Sequence, residues 1–579
     1  MLVDIAIPRT KLDFLTYNTK DKLKIGDLVL LPLRKKKVFG IVIKTDSENR
    51  PPRLRDIYEV RQQGFISPSM VHFYRWLAHN YLASAGEVLT LALPRGIFSF
   101  SRRPAEDEST PWVKDQPPAL TPNQQQIVNK ILKNINERQF KPYLLFGVTG
   151  SGKTEIYLRI IEEVIGRGRK SLVMVPEISM TPLLLGRFKK RFGHGIVTIH
   201  SSLPPGQRKD VWHKIREGRY DVVIGPRSCI FLPIPELDVI VVDEEHDESY
   251  KEEARHPRYN GRDAAVIRGQ IEKCTVILGS ATPSIESYHK AKMGEYELVL
   301  LRERIDARPL PKIEVVDLKK ESDRFLSHPF RETLDATISR DEQAIIFLNR
   351  RGYAPVLLCS ACGFVAKCPF CNLPLVFHKA GDIVTCHFCQ YRKKAPDICP
   401  ACQNQPLVFK GLGTQRLEEI LGGIMKKDDV LRFDHDSVSH KGRLEEILHE
   451  FEANRAKILM GTQMVTKGFD FPNVTMVGII NADQLFNFPD FRGAERTFQL
   501  LTQVAGRAGR GKKEGVVVIQ TYHPQQYAIV YSQRQDYEAF YNEEIKLRSE
   551  LSLPPFSRLI ILRIFGKDKV RVREAAEKI

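Results

Sequence analysis

The sequence has no apolar run that approaches the roughly 20 residues needed to span a bilayer. Its first residues, Met1 to Pro8, lack both a charged n-region and a long apolar stretch, so no secretory signal peptide is evident. Cysteine is scarce outside one segment, because only Cys229 and Cys274 of the ten cysteines lie apart from it. These absences disfavour a membrane-spanning protein and a secreted, disulfide-stabilised one, and they predict a cytoplasmic protein.

The length and charge of the chain set the next limits. With 579 residues it exceeds what one hydrophobic core supports, so we expect roughly three to five domains. Its formal net charge is +18, with 88 lysines and arginines against 70 aspartates and glutamates. A basic surplus of this size indicates a polyanionic partner, usually a nucleic acid. A generally basic, solvated surface remains the alternative.

Residues 1–103 are predicted to form a β-rich domain. Asp27–Leu33 and Val38–Lys44 are short apolar segments on either side of the basic turn Arg34–Lys37. A helix containing Val71 to Ala83 is predicted to follow them. Residues 104–119 combine acidic and hydroxyl side chains with four prolines, which is typical of a linker.

From Leu120 onward, strands alternate with amphipathic segments, as in a parallel α/β sheet. The first series of predicted strands is Tyr143–Val148, Ser171–Val175, Asp221–Gly225, Val239–Val242 and Thr275–Gly279. The second series is Ala344–Leu348, Val430–Asp434, Lys457–Gly461, Val474–Ile480 and Gly515–Gln520. We therefore predict two tandem α/β lobes, the second carrying a cysteine-rich insertion. The predicted divisions are 120–305, 306–358, the insertion 359–402, 403–535, and 536–579 as the start of a shortened or truncated C-terminal domain.

A phosphate-binding loop is predicted between the first strand of this series and the helix after it. Its glycines allow backbone N–H groups to close around phosphate oxygens. Its lysine reaches the β- and γ-phosphates, and its threonine hydroxyl binds Mg²⁺. The loop comprises Gly147, Val148, Thr149, Gly150, Ser151, Gly152, Lys153 and Thr154.

A phosphate-binding loop occurs in several classes of protein, and it is the acidic turn after a later strand that indicates a molecular motor. Asp243 and Glu244 follow the predicted strand Val239–Val242. We predict that Asp243 holds the Mg²⁺ and that Glu244 orients and deprotonates the attacking water. Gln124, ahead of the first helix of the lobe, is predicted to read an adenine edge with its amide. An ordinary surface glutamine is the alternative for Gln124.

The second lobe supplies two further motifs. Gln503, Arg507 and Arg510 lie at the predicted end of a helix, in QVAGRAGR. Guanidinium groups can stabilise the charge on a transferring γ-phosphate from across a cleft, so both arginines are candidate arginine fingers. A contact with the DNA phosphate backbone is the alternative. Thr462 and Lys467, in the loop after another strand, are predicted to bind a DNA backbone, with a solvated polar loop as the alternative.

The cysteine-rich insertion contains four C-x-x-C pairs and predicts two closed zinc sites, because four thiolates complete a tetrahedral site. A disulfide set or an iron–sulfur cluster is the alternative. The segments Leu373–His378 and Asp382–Thr385 predict a β-hairpin that would bring the second pair against the third. The pairing is therefore nested, with one zinc held by Cys359, Cys362, Cys399 and Cys402 and the other by Cys368, Cys371, Cys386 and Cys389.

The order of these motifs resembles the core of a superfamily-two helicase. In chain order they are GVTGSGKT, DEEH, GSATP, GTQMVTKGFDFP and QVAGRAGR. Within that superfamily the chain is similar to the PriA family of replication-restart helicases. The likeness depends on Asn349–Tyr353, the cysteine block after it, Gly411–Arg416 and Arg432–Asp436.

The resemblance implies two RecA-like lobes that bind ATP and Mg²⁺, two Zn²⁺ ions, and a 3′→5′ DNA helicase that remodels stalled forks and promotes primosome assembly. It implies that Asp13 accepts a hydrogen bond from a terminal 3′-hydroxyl, with a surface turn acid as the alternative. It also implies that Tyr250, Tyr259 and Arg262 belong to an aromatic-rich loop that senses single-stranded DNA, with a packed tyrosine pair as the alternative.

The implied partners are forked and single-stranded DNA, primosome proteins, a single-strand-binding protein and a loader of the replicative helicase, at a nucleoid-associated location. The winged-helix domain that such proteins commonly carry before the motor is expected to be absent here. An RNA helicase or duplex translocase with the same core is a second enzymatic interpretation. A fork-binding scaffold that uses little ATP is a third, which intact Lys153, Asp243, Glu244 and Arg510 disfavour.

Overall fold

The structure is a computed structural model. It describes residues 1–98, 115–176, 182–200, 203–304, 311–348, 357, 359, 361–370, 372–378, 382–386, 389–403, 414–424, 429–434, 437, 443–462, 471–487, 490–509, 513–562, 564, 566 and 568–578. Among these residues, none of the helices combines the length and hydrophobicity required to cross a bilayer. The predicted linker at 104–119 falls mostly outside the described ranges.

The N-terminal domain is an antiparallel sheet followed by two helices. Its elements are β1 (Leu2–Ala6), β2 (Leu15–Asn18), β3 (Leu28–Leu33), β4 (Lys36–Thr45), β5 (Glu59–Gln62), α1 (Pro68–Asn80) and α2 (Ala85–Ala92). The sheet order is β2-β1-β4-β3-β5, so the two predicted strands are confirmed as β3 and β4. The helix α1 begins before the predicted Val71, because Ser67 caps it by accepting a hydrogen bond from the Met70 N–H.

The first α/β lobe is a parallel seven-stranded sheet. Its elements are α3 (Pro122–Asn136), β6 (Pro142–Gly147), α4 (Lys153–Gly166), β7 (Lys170–Met174), α5 (Pro182–Phe192), β8 (Ile196–Thr198), α6 (Pro205–Arg216), β9 (Val222–Gly225), β10 (Leu237–Asp243), α7 (Gly261–Glu272), β11 (Thr275–Ser280), α8 (Ile285–Lys292) and β12 (Glu297–Leu301). The strand order is β12-β6-β11-β10-β7-β9-β8. The interior strand β11 is buried along its whole length, as expected when both faces of a parallel sheet are covered.

The second lobe repeats this architecture as a six-stranded sheet. Its elements are β13 (Lys312–Asp317), α9 (His328–Ser339), β14 (Gln343–Leu348), the insertion, α10 (Thr414–Ile424), β18 (Val430–Phe433), α11 (Arg443–Glu452), β19 (Ile458–Gly461), β20 (Val474–Ile480), α12 (Asp483–Phe486), α13 (Gly493–Ala505) and β21 (Val516–Thr521). The order is β13-β21-β20-β14-β19-β18. The insertion follows β14 and contains β15 (Val376–His378), β16 (Ile383–Thr385) and β17 (Arg392–Lys394), which pair as a small antiparallel sheet.

Three helices complete the described chain: α14 (Tyr527–Arg534), α15 (Tyr537–Glu550) and α16 (Lys569–Glu577). The helix α15 lies in the segment predicted to begin a C-terminal domain, and it packs where the two lobes meet. The ring of Tyr537 lies 5.0 Å from those of both Phe146 and Tyr288. Its hydroxyl donates to the Pro283 carbonyl at 2.9 Å. The helix therefore contributes to the core of the first lobe.

Arg548 of α15 joins the two lobes through buried ion pairs. Its guanidinium contacts Glu495 of the second lobe at 2.6 Å and Glu286 of the first lobe at 3.5 Å. Burial alone would raise the pKa of Glu286, but Arg492, Arg548 and Arg262 together lower it to about 2. The three arginines therefore keep Glu286 ionised although it is buried.

We expect Arg548→Met to destabilise the protein by about 3–5 kcal/mol, because it leaves Glu495 buried without its cationic partner. The matched control is Arg302→Met, since Arg302 pairs with Glu538 of the same helix but its side chain is 73% exposed. That exposed pair should contribute only about 0–1 kcal/mol. The midpoints of urea unfolding measure both effects. A similar loss for the two variants would contradict the importance assigned to the buried cluster.

Candidate nucleotide site and metal centres

The phosphate-binding loop lies between β6 and α4, at the carboxyl end of the sheet. Gly150 and Gly152 have φ of 83° and 86°, left-handed values that favour glycine. Lys153 begins α4, and its ammonium group donates to the Gly147 carbonyl at 2.7 Å. The Ser151 hydroxyl is buried with no hydrogen-bond partner. A tight turn with a cation and an unsatisfied hydroxyl beside the start of a helix fits bound phosphate oxygens.

The acidic turn lies at the end of β10, in the same parallel sheet as β6. Asp243 accepts a hydrogen bond from the Tyr157 hydroxyl at 3.1 Å. Burial and the neighbouring Glu244 raise the pKa of Asp243 to about 7, while Lys153 opposes the shift. One carboxylate oxygen of Glu244 is buried and has no hydrogen-bond partner. Two adjacent, poorly solvated carboxylates beside a phosphate-binding loop fit a divalent cation and a water molecule.

Gln124 is engaged within the first lobe. Its amide nitrogen donates to the Ser151 carbonyl at 2.9 Å, and its amide oxygen accepts from the Thr121 N–H at 2.9 Å. The side chain is buried, with 4% exposure. This arrangement differs from the predicted adenine contact, because the amide joins α3 to the phosphate-binding loop.

His246 connects the acidic turn to the second lobe. Its Nε2 lies 2.6 Å from the amide nitrogen of Gln503, and its Nδ1 lies 2.7 Å from the Ser280 hydroxyl. With the amide nitrogen of Gln503 facing the ring, Nε2 accepts a hydrogen bond and Nδ1 carries the proton. Three separate motifs thus meet at one imidazole. Sequence reasoning did not select His246, although it directly follows the acidic residues.

The end of α13 touches the phosphate-binding loop across the cleft between the lobes. A Cβ added at Gly506 would lie 3.0 Å from the Thr149 side chain, so only a close backbone approach fits there. Arg507 follows Gly506 directly and is half-buried. Arg510 lies outside the described residues. Thr462, half-buried, comes directly after β19, whereas Lys467 lies outside the described ranges.

The two tyrosines of the predicted DNA-sensing loop are packed inside the protein, which fits the alternative of a packed tyrosine pair. Tyr250 is 1% exposed, and its hydroxyl donates to the Asp243 carbonyl at 2.6 Å. Tyr259 is 2% exposed, with its ring 5.0 Å from that of Phe231. Neither ring can reach a base without leaving its packing. Tyr250 instead supports the strand that carries Asp243.

Arg262 is also an internal residue. Its guanidinium donates to the Ser284 hydroxyl at 2.6 Å and to Glu245 at 3.3 Å. Burial would lower its pKa, yet the pKa is raised well above its ordinary value by Asp263, Glu245 and Glu286. These contacts direct the charge towards protein carboxylates. The structure therefore gives Arg262 internal partners, and its predicted DNA contact stays a prediction.

Asp13 lies just before β2, at the surface of the N-terminal domain. One of its carboxylate oxygens accepts from the Ala85 N–H at 3.0 Å, at the start of α2. The next residue, Gly86, is closely packed, because a Cβ there would lie 2.6 Å from the Ile7 carbonyl oxygen. Asp13 itself is exposed. The structure thus holds the carboxyl group in place at the surface of the domain.

The cysteines of the insertion come together in two groups. Cys359, Cys362, Cys399 and Cys402 form one group, and Cys368, Cys386 and Cys389 belong to the other. Sulfur separations are 3.7 Å for Cys359 to Cys402, 3.6 Å for Cys362 to Cys399 and 3.4 Å for Cys368 to Cys389. Thiolates held tetrahedrally at about 2.3 Å from one zinc lie about 3.8 Å apart. Cys371 lies outside the described residues.

The same turn recurs in each cysteine pair. The residue after the second cysteine is left-handed at Gly363, Asn372, Gln390 and Gln403, with φ of 74°, 54°, 65° and 53°. Its N–H donates to the carbonyl of the first cysteine of the pair at 2.9 Å in all four turns. The strands β15 and β16 pair between Cys368 and the Cys386–Cys389 pair, and these three cysteines lie together. The donor set and the repeated turn fit two zinc ions bound only by thiolates.

Comparison with known proteins gives matches along most of the chain. Family descriptions match a 3′DNA-binding domain at residues 3–94, a DEAD/DEAH box helicase at 121–291, a PriA DNA helicase Cys-rich region at 368–394 and a helicase conserved C-terminal domain at 403–512.

Two curated relatives share the printed name replication restart protein PriA. The chain is 43% identical to that of Bacillus subtilis over 482 residues, covering 83% of this chain and 60% of that protein. It is 37% identical to that of Rickettsia conorii over 589 residues, covering 99% of this chain and 89% of that protein. A solved structure of RecG bound to a three-way DNA junction has a TM-score of 0.44 and 16% identity, over 80% of this chain and 50% of that one.

Proposed function

The chain belongs to the PriA family of replication restart proteins, which are ATP-dependent DNA helicases, and we propose that it uses ATP hydrolysis to unwind forked DNA in the 3′→5′ direction. The observation that carries the proposal is the contact between the lobes. The hydrogen bond from Gln503 to His246 and the approach of Gly506 to Thr149 bring the second lobe directly onto the phosphate-binding loop and the acidic turn.

Each residue of the cleft has a proposed role in hydrolysis. Lys153 and the loop N–H groups hold the phosphates, while Thr154 and Asp243 hold the Mg²⁺ that neutralises phosphate charge. Glu244 orients the attacking water and accepts its proton. Arg507 and Arg510 stabilise the charge on the transferring phosphoryl group. Because Arg507 and Gln503 belong to the second lobe, hydrolysis depends on how the lobes are placed.

The DNA contacts are assigned to other parts of the molecule. Asp13 is proposed to accept a hydrogen bond from a terminal 3′-hydroxyl, which the match of residues 3–94 to a 3′DNA-binding domain supports. Thr462 and Lys467 are proposed to contact the phosphate backbone of the translocated strand. Each zinc site is proposed to be closed by four thiolates, so zinc bound there would stabilise the local fold rather than take part in hydrolysis.

The finer biological assignment follows from family membership. We propose that fork binding leads to primosome assembly, with a single-strand-binding protein and a replicative-helicase loader as partners. The proposed location is cytoplasmic, at the nucleoid. We retain the predicted domain bounds as part of this proposal, with the addition that α15, from residue 537, packs against the first lobe.

Strand displacement tests polarity and substrate together. We expect unwinding of a DNA duplex with a 3′ single-stranded tail, little with a 5′ tail, and little with the same duplexes made of RNA. Each substrate is labelled on the displaced strand and measured with ATP and without nucleotide. Preference for the 5′ tail would contradict the polarity. Faster unwinding of RNA would favour an RNA helicase instead.

A further inference from the structure

Tyr81 joins the N-terminal domain to the loop that follows the acidic turn of the ATP site. Its hydroxyl oxygen accepts a hydrogen bond from the Asn260 N–H at 3.0 Å. We propose that Tyr81 is a positioning residue through which occupancy of the 3′-end pocket at Asp13 changes the rate of ATP hydrolysis. This inference depends on the proposed role of Asp13 and adds the route by which that pocket affects the motor.

On the pocket side, the connection between Asp13 and Tyr81 is short. Asp13 accepts from the Ala85 N–H at the start of α2, and Tyr81 directly follows the last residue of α1. The intervening turn is held by a capping box, in which Ser84 and Glu87 exchange hydrogen bonds. A DNA 3′ end that bound the Asp13 carboxylate and moved it would therefore also shift the start of α2 and this turn.

On the ATP side, Asn260 is fixed to the acidic motif. Its side chain caps α7 by accepting from the Arg262 N–H at 3.0 Å. The guanidinium of Arg262 then contacts Glu245, which follows Glu244 in the chain. The Glu245 N–H donates to the Gly279 carbonyl at 3.0 Å, at the end of the neighbouring strand β11. Three consecutive contacts thus connect the end of α1 with the turn that carries the proposed base, and the fourth holds that turn against β11.

The surroundings of Tyr81 distinguish it from an ordinary packing residue. Its side chain is half-buried, and the ammonium group of Lys251 lies 5.5 Å from the centre of its ring. Burial raises the pKa of the Tyr81 hydroxyl to about 12, so it stays protonated at neutral pH. Lys251 pairs with Asn260 as an isolated bridge. Tyr81 therefore contacts both sides of the loop that runs from the acidic turn to α7.

A tyrosine on the same helix provides a matched control. Tyr74 of α1 also crosses from the N-terminal domain to the first lobe, where its hydroxyl donates to the Phe231 carbonyl at 2.7 Å. That carbonyl lies outside the loop between the acidic turn and α7. Tyr74→Phe and Tyr81→Phe therefore each remove one interdomain hydrogen bond, but only the second removes a contact with this loop.

The experiment measures ATP hydrolysis by the full chain with two forked DNA probes that differ only at the nascent 3′ end, one hydroxyl and one phosphate. Wild type and Tyr74→Phe should hydrolyse ATP faster with the hydroxyl end. In Tyr81→Phe the ratio of the hydrolysis rate with the hydroxyl end to the rate with the phosphate end should fall by about 2- to 30-fold, the range for residues that couple two sites. The Kd for the hydroxyl-ended fork, measured by anisotropy, should be unchanged in Tyr81→Phe.

The outcomes separate the two levels of the proposal. If the wild type hydrolyses ATP at the same rate with both ends, and Asp13→Ala binds each fork as tightly as the wild type does, the 3′-end pocket itself is wrong. If the wild type hydrolyses ATP faster with the hydroxyl end and Tyr81→Phe keeps the full ratio of the two rates, the pocket stands and the route through Tyr81 is overturned. Equal losses in Tyr74→Phe and Tyr81→Phe would also overturn it, because general docking of the domains would then account for the effect.

Discussion

Replacing Glu244 by glutamine should lower DNA-stimulated ATP hydrolysis by about 10²–10⁴-fold, the usual contribution of a positioned general base. The amide occupies nearly the same volume but cannot accept a proton from water. ATP binding should persist, because Lys153, Thr154 and Asp243 remain in place. The buried carboxylate oxygen without a hydrogen-bond partner marks Glu244 as the group with capacity to bind that water.

The measurement pairs steady-state phosphate release with binding of a fluorescent ATP analogue. Glu253→Gln is the matched control, since it makes the same change at an exposed carboxylate of the following loop and should leave the rate nearly unchanged. Lys153→Ala should abolish hydrolysis but leave fork binding largely intact. Near-normal turnover of Glu244→Gln would show that another group is the base. Equal losses of fork affinity and hydrolysis in Lys153→Ala would contradict the separation of the two sites.

The second large effect concerns the zinc content. The purified protein should contain two zinc ions per chain, and Cys386→Ser should retain only one, since Cys386 belongs to one of the two cysteine groups. Because the binding energy of a structural zinc is also folding energy, the inner part of the module should lose its order. Nucleotide binding should survive, since the module is inserted after β14 of the second lobe and the phosphate-binding loop belongs to the first.

Double substitutions test the pairing of the cysteines. Cys368→Ser with Cys386→Ser should still lose one zinc, because both residues belong to the same group. Cys359→Ser with Cys386→Ser should lose both zinc ions, because these residues belong to different groups. Atomic absorption on dialysed protein counts the metal directly. The same zinc content in the two double variants would refute the nested arrangement.

The sequence predicted the parts of the fold that have strong local patterns. Each strand of both predicted series is present within one or two residues, because a buried parallel strand is a continuous apolar run bounded by turns. The strands β8, β12 and β13 were missed. They lie at or next to the edges of their sheets, where burial is incomplete and the apolar pattern is weaker.

Three of the predicted site residues show where local patterns stop being informative. Tyr250, Tyr259 and Arg262 lie among lysines and arginines, which is also the composition of a DNA-binding loop. The two tyrosines are packed against β7 and the 227–231 segment, contacts that are distant in sequence. Arg262 donates to the Ser284 hydroxyl, 22 residues later in the chain. Only the fold reveals that their polar groups are satisfied inside the protein.

The contacts between the lobes could not be predicted from local sequence patterns either. Helical spacing indicates only the local partner of Arg548, which is Glu544 four residues earlier. Its guanidinium also contacts Glu495 and Glu286, which lie 53 and 262 residues away in the chain. Gln503 was selected for its motif, but its partner His246 lies 257 residues earlier. Such pairs follow from how two folded lobes are placed, which strand and helix periodicity does not determine.

Fork unwinding by wild type and Glu244→Gln tests the central claim, that ATP hydrolysis in the cleft between the lobes drives strand separation. The measurement is displacement of a labelled strand from a DNA fork, with ATP or with a non-hydrolysable analogue, at enzyme excess. The account predicts displacement only for the wild type with ATP, while both proteins bind the fork with the same Kd. Equal displacement by Glu244→Gln, or by the wild type with the analogue, would show that binding alone opens the fork and would contradict the account.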